Sequence, residues 1–181
     1  MLARAPQEQN SLHRLFWGQL ACPDLKVRNK EEALEKLVTN LIRHNQLPPG
    51  KKRSILERAL KREQISSTAV DCETAFPHVA LPGFYGVAGS MAICPDGVDF
   101  GSSGGKPSRF LFLLITPEGY CSEYLAILSK ISKRMIDPAV RAALLKASSQ
   151  QDILNILEPA PDERFAINAS PRQRQKQHAK P

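Results

Sequence analysis

The sequence predicts one α/β domain spanning residues 15–158. Three observations predict it. Helical and strand-like hydrophobic periods alternate along the chain. The run 110–115 is apolar at every position, as a strand covered on both faces requires. No repeat or linker interrupts the pattern. The 181 residues suit one domain, and 42% apolar residues are enough for one core.

Each element has its own local signal. Residues 1–14 mix Pro, Gln, Asn and Arg without a period and read as a flexible arm. Residues 24–28 alternate like a short strand. Asn29 then caps a helix, with Glu32 three residues on. Ala33, Leu34, Leu37, Val38, Leu41 and Ile42 form one apolar stripe, and the run 47–50, Leu-Pro-Pro-Gly, ends the helix. A second helix, with Ile55, Leu56, Ala59 and Leu60 inward, ends near Arg62 and Glu63. Residues 65–78 lack a helical period and read as a loop with a short strand. Residues 86–94 read as a strand of small side chains, and 109–116 as the most buried strand. A helix over 121–136 follows, with Leu125, Leu128, Ile131 and Met135 inward. Asp137-Pro138 starts another helix. Ser149 with Asp152 starts the last, which ends near Leu157. Residues 159–181 form a basic tail too poor in apolar residues to order itself.

Composition excludes several functions. The longest apolar run is about a third of a membrane span, so membrane insertion is not expected. The N-terminus carries no apolar signal segment, so a cytoplasmic protein is expected. Four cysteines, none in C-x-x-C spacing, give no zinc-knuckle or thioredoxin-type motif and read as small buried or half-buried residues. The net charge is +7, of which the residues from Pro161 contribute +3, five cations less two acids. A tail of this kind is solvated, and nucleic acid is not the expected partner. The run 101–106, Gly-Ser-Ser-Gly-Gly-Lys, fails the spacing of a phosphate-binding loop because Phe100 and Pro107 stand at required positions. It reads as a turn.

Polar chemistry concentrates between positions 62 and 78. Arg62-Glu63 precede Ser67-Thr68, and ten residues on stands His78, stiffened by Pro77. A neutral imidazole, with a free pKa of about 6.5, is a competent nucleophile near neutral pH. It can accept a phosphoryl group, whose charge a guanidinium and hydroxyl donors would stabilise.

The order Arg62-Glu63, Ser67-Thr68 and Ala75-Phe76-Pro77-His78 resembles the signature of the type-2 EIIA domains of the bacterial phosphotransferase system. The likeness covers about 145 residues. It includes the run 30–34, Val98-Asp99-Phe100 before a Gly-rich turn, 110–115 and 125–129. The resemblance implies a compact α/β domain of the EIIA mannitol/fructose type, a mixed sheet with helices on both faces. It implies that His78 takes phosphate from an HPr-like phosphocarrier, with Arg62, Ser67 and Thr68 stabilising it. The onward partner would be an EIIB domain or, in the nitrogen-regulatory branch that a free-standing copy resembles more, regulated target proteins. The motif requires neither metal nor cofactor. Two positions depart from the family. Tyr124 stands where members often have a second histidine, and Glu73 puts a negative charge close before Pro77. An EIIA-like binding module that acts without being phosphorylated is the alternative.

Overall fold

The structure, a computed structural model, describes residues 11–119 and 121–159. The order is α1 (Leu12–Leu15), β1 (Ala21–Cys22), α2 (Lys30–Arg43), a 3-10 turn (Pro49–Lys51), α3 (Lys52–Ile65), β2 (Ala69–Val70), β3 (Thr74–Ala75), β4 (His78–Leu81), β5 (Ala88–Val98), β6 (Ser108–Pro117), α4 (Ser122–Ile136), α5 (Pro138–Leu144) and α6 (Gln150–Leu157).

Six strands make one mixed sheet in the order β1-β5-β6-β3-β2, with β4 also paired to β6. The centre is β6. It runs antiparallel to β5 along one side, and parallel to β3 and then β4 along the other. Residues 110–115 have no solvent exposure, as their unbroken apolar character predicts. Alternation along the strand sends Phe110, Phe112 and Leu114 to one face and Leu111, Leu113 and Ile115 to the other. Phe112 packs against Phe16 and stacks on Phe76, with ring centroids 6.2 and 5.5 Å apart. On the opposite face α2 lies over β5, where Asn40 donates to the Ser90 hydroxyl. The small residues of β5 have a purpose. A side-chain carbon on Gly89 would come within 2.8 Å of Leu15, so α1 can lie on the strand only over glycine. Helices on both faces of a mixed sheet are the architecture expected.

The caps follow the sequence. The Asn29 side chain accepts from Glu32 N, and Asp137 from Ala139 N. Ser149 and Asp152 close a full capping box. At α2 the reciprocal bond shifts by one residue, because Glu32 accepts from the Arg28 backbone N–H and Nε–H. These two bonds, with Lys36, hold the Glu32 carboxyl down at about 2 against an ordinary 4.5. A depressed carboxylate stabilises the fold above its unfolded pKa. That contribution is therefore full above about pH 5 and lost as pH falls from 4.5 towards 2. A carboxyl NMR titration is expected to place the Glu32 midpoint more than one unit below that of an exposed glutamate. An ordinary midpoint would contradict the bonding described.

Several expectations need correction. Residues 11–14 do not belong to a loose arm. Leu12 is fully buried in α1, whose first N–H groups and Ser11 hydroxyl donate to Glu158, 145–147 residues away in sequence. Lys130 completes this cluster. Burial raises the Glu158 pKa, but the bonds from Lys130, His13 N and Ser11 outweigh it and leave the carboxyl below its usual range. The rest of the arm, and the tail from 160, lie outside the described residues.

The first strand is at 21–22, not 24–28. Leu25 and Val27 do pack on the core, but after Pro23 the backbone contact with β5 is reduced to Leu25 N, which donates to Ile93 O. The second helix continues to Ile65. Residues 65–78 contain a two-stranded hairpin, and His78 opens a strand of its own. β5 continues past 94 to Val98 through a register break. There Gly97, at φ 76°, lies where any side chain would strike Pro107. In α4 the inward residues are Ile127, Ile131 and Met135, while Leu125 is 46% exposed. Cys94 is buried and the other three thiols half-buried, all unpaired. Burial pushes the Cys94 thiol up to about 12.

Candidate functional site

Pro77 places the histidine. Its carbonyl accepts from Leu114 N, and the next residue enters β4 in register with Leu114. This aligns His78 with the core strand while its ring stays half-exposed.

Both ring nitrogens are committed. Nδ1 lies 3.1 Å from the Phe76 carbonyl oxygen, and Nε2 lies 3.2 Å from Arg62 Nε. A carbonyl only accepts and a guanidinium only donates. The ring must therefore carry its proton on Nδ1 and present its lone pair at Nε2. That is the neutral, nucleophilic tautomer, with the reactive nitrogen facing the cation.

Arg62 reaches His78 from the last turn of α3. Its Nη1 donates to Ser66 O at 2.9 Å, which fixes the guanidinium plane. The turn after α3 is held by Glu63, only 4% exposed. Its two carboxylate oxygens accept from Thr68 N at 2.9 Å and Thr68 Oγ1 at 2.7 Å. A buried carboxylate with both oxygens bonded is stable where an unpaired one would not be.

Ser67 and Thr68 are near His78 but do not offer the donors expected of them. The Ser67 hydroxyl donates to Phe100 O at 2.6 Å and accepts from Ala69 N at 3.0 Å. The Thr68 hydroxyl donates to Glu63. A hydroxyl has one proton, so both side chains, as placed, build the loop rather than face an anion. Arg62 is where the sequence put it.

Tyr124, in the first turn of α4, brings its ring to 5.8 Å from that of His78, tilted by 43°. Burial raises its phenol pKa, and the nearby Arg62 charge only partly opposes the rise. Glu73 corrects the other departure. Its carboxylate pairs with Arg109 at 3.9 Å, and Glu73 does not line the cleft around His78.

That cleft, about 490 Å³, lies between α4 and the β2–β3 hairpin. Leu128, Ser132, Met135 and Ile136 extend the Tyr124 side of the helix along it, and Val70, Cys72 and Phe76 form part of the facing wall. The spacing 124, 128, 132, 135 is a helical stripe that could have been read from the sequence. The Glu63–Thr68 contact and the two carbonyl anchors had no such signal. A larger groove of about 960 Å³ beside α2 holds none of these residues, and much of its charge is internally paired through Lys52–Glu35, Lys36–Glu32 and Arg28–Glu32. Arg62, His78 and Tyr124 all line the smaller cleft.

Fold and site together define a mixed α/β domain with a histidine facing a guanidinium at the start of a strand paired to the central one. The chain belongs to the EIIA 2 family of the phosphoenolpyruvate-dependent sugar phosphotransferase system, whose model matches residues 17–160. A nitrogen regulatory protein of Bradyrhizobium diazoefficiens is 32% identical over 139 residues, covering 77% of this chain and 89% of that protein. The fructose-specific EIIABC component of Bacillus subtilis is 28% identical over 134 residues, 74% of this chain and 21% of that larger protein. Among solved structures, the nitrogen regulatory protein IIA-Ntr of Neisseria meningitidis superposes with a TM-score of 0.67 at 27% identity, over 76% of this chain and 91% of that one.

Proposed function

We propose that this chain is a phosphocarrier of the nitrogen-regulatory kind. His78 accepts a phosphoryl group from an HPr-like protein in the cytoplasm and relays it, or holds it as a signal to regulated target proteins. An EIIB domain is the other candidate acceptor. The observation that carries the reading is the bonding of the His78 ring, proton to Phe76 O and lone pair towards Arg62. The likeness to nitrogen regulatory proteins supports the branch.

The transfer balances simply. The donor is a phosphohistidine protonated on its other ring nitrogen. The His78 Nε2 lone pair forms a new N–P bond while the donor's N–P bond breaks, its electrons returning to the donor ring, which leaves neutral. His78 keeps its Nδ1 proton and acquires the positive charge. The Phe76 carbonyl, already accepting from that N–H, stabilises the cation. Attack requires the Arg62 Nε–H to leave the lone pair. The guanidinium then faces the phosphoryl oxygens, where each charge-assisted bond contributes about 1.5–3 kcal/mol. Catalysis is positioning and charge stabilisation.

Incubation with Enzyme I, HPr and phosphoenolpyruvate tests the reading. One acid-labile, base-stable phosphoryl group per chain is the expected result. The alternative, a binding module that is never phosphorylated, predicts no label in the same assay.

A further inference from the structure

We infer that Tyr124 is a catalytic donor in this site: its hydroxyl hydrogen-bonds the phosphoryl group on His78, a neutral contact beside the Arg62 cation. The inference rests on the phosphoryl-acceptor reading of His78 and adds a second oxygen ligand to it.

Three observations lead there. The Tyr124 ring is against the His78 ring, 5.8 Å between centroids and tilted, and Arg62, the group at Nε2, lines the same cleft and acts on the phenol, so Tyr124 borders the space a group on Nε2 would enter. Its hydroxyl has no hydrogen-bond partner among the described residues, although the side chain lines the same cleft as Arg62 and His78. Of the other hydroxyls lining the cleft, those of Ser67 and Thr68 have spent their protons on Phe100 O and Glu63, and Ser132 stands two turns further along α4. Among the described residues Tyr124 thus carries the free hydroxyl whose ring touches that of His78.

The backbone supports the placement. Tyr124 N donates to Cys121 Sγ, the cap of α4, at 3.5 Å, which anchors the first turn that carries the ring. Half-burial favours the protonated phenol, and the Arg62 charge does not reverse this. Tyr124 therefore remains a donor across the neutral range, where an imidazolium at the same place would lose its proton as pH rises.

The test uses phosphoramidate as donor, so that it does not depend on any carrier protein. The His78 Nε2 lone pair forms the N–P bond as the P–N bond of phosphoramidate breaks, and ammonia leaves with the pair. Phosphohistidine formation is followed by ³¹P NMR for the wild type, Tyr124→Phe and Tyr124→His, with thermal unfolding measured alongside. Tyr124→Phe is expected to label about tenfold more slowly, equivalent to about 1.4 kcal/mol, at unchanged Tm. Its rate relative to wild type should be constant from pH 6 to 8. Tyr124→His should restore the rate at pH 6, then lose that gain as the introduced imidazole deprotonates near 6.5. A phenylalanine variant within twofold of wild type throughout overturns the inference. So does a histidine variant with no pH-dependent rescue.

The two claims fail separately. Tyrosine-dependent labelling by phosphoramidate, with none from HPr, supports the Tyr124 role and removes the carrier role. Labelling by both donors, indifferent to Tyr124→Phe, does the reverse. No label from either donor overturns both.

Discussion

Replacing His78 with alanine is expected to abolish acid-labile phosphorylation, a loss of at least roughly 10³-fold, because among the described residues no other group lining the cleft presents a nitrogen lone pair to the phosphoryl donor. His13 and His44 are not among the residues lining that cleft. Stability should change by no more than about 1 kcal/mol, since the half-exposed ring makes two hydrogen bonds and one ring contact. Quantitative labelling, with a melting curve on the same sample, separates the two effects. An alanine variant that still labels fully would show that the acceptor lies elsewhere.

The second large effect is on stability. Glu63→Ala removes the acceptor for both Thr68 N and Thr68 Oγ1 inside the fold, at positions that water reaches poorly. Unfulfilled buried donors, with the space left behind, should cost about 2–4 kcal/mol. For a domain of this size that lowers Tm by roughly 5–15 °C. Phosphorylation should slow as well, because Ser66 O, which fixes Arg62, belongs to the turn that Glu63 holds. Glu63→Gln keeps an acceptor for Thr68 and should lose less than half as much stability. Denaturant unfolding of the three proteins measures the order directly. An alanine variant within about 0.5 kcal/mol of wild type would contradict the structural role given to Glu63.

The sequence displayed those parts of the fold that local chemistry determines. Asn29, Asp137 and Ser149 cap helices wherever they occur with a suitable residue two or three positions on. The stripe from Ala33 to Leu41 has one buried side whatever packs on it. Residues 110–115 can only be covered on both faces. Other features depend on distant partners. The turn at Leu12–Leu15 is held by Glu158, and neither end of that contact is visible from the other in sequence. Leu25 and Val27 alternate as a strand would, yet the ladder on β5 holds only Ala21 and Cys22 and stops at Pro23. Leu125 has the composition of a core residue, but the first turn of α4 overhangs the cleft and turns it outward.

The site divides the same way. His78 and Arg62 were singled out by the family order quoted for them, and the structure brings the two side chains together. The hydroxyls of Ser67 and Thr68 were assigned by residue type, and residue type does not say where a proton is already given. Phe76 O and Ser66 O are backbone atoms and leave no mark in a sequence. Together they choose the tautomer of His78 and the plane of Arg62.

That tautomer is the centre of the account, and the nitrogen that carries phosphorus tests it most directly. Protein labelled with ¹⁵N-histidine, phosphorylated to completion and observed by ³¹P–¹⁵N correlation, should show a single phosphohistidine. The coupling should be to Nε2 of His78, with Nδ1 still protonated and donating to Phe76 O. Phosphorus on Nδ1, or on His13, His44 or His178, would contradict the account.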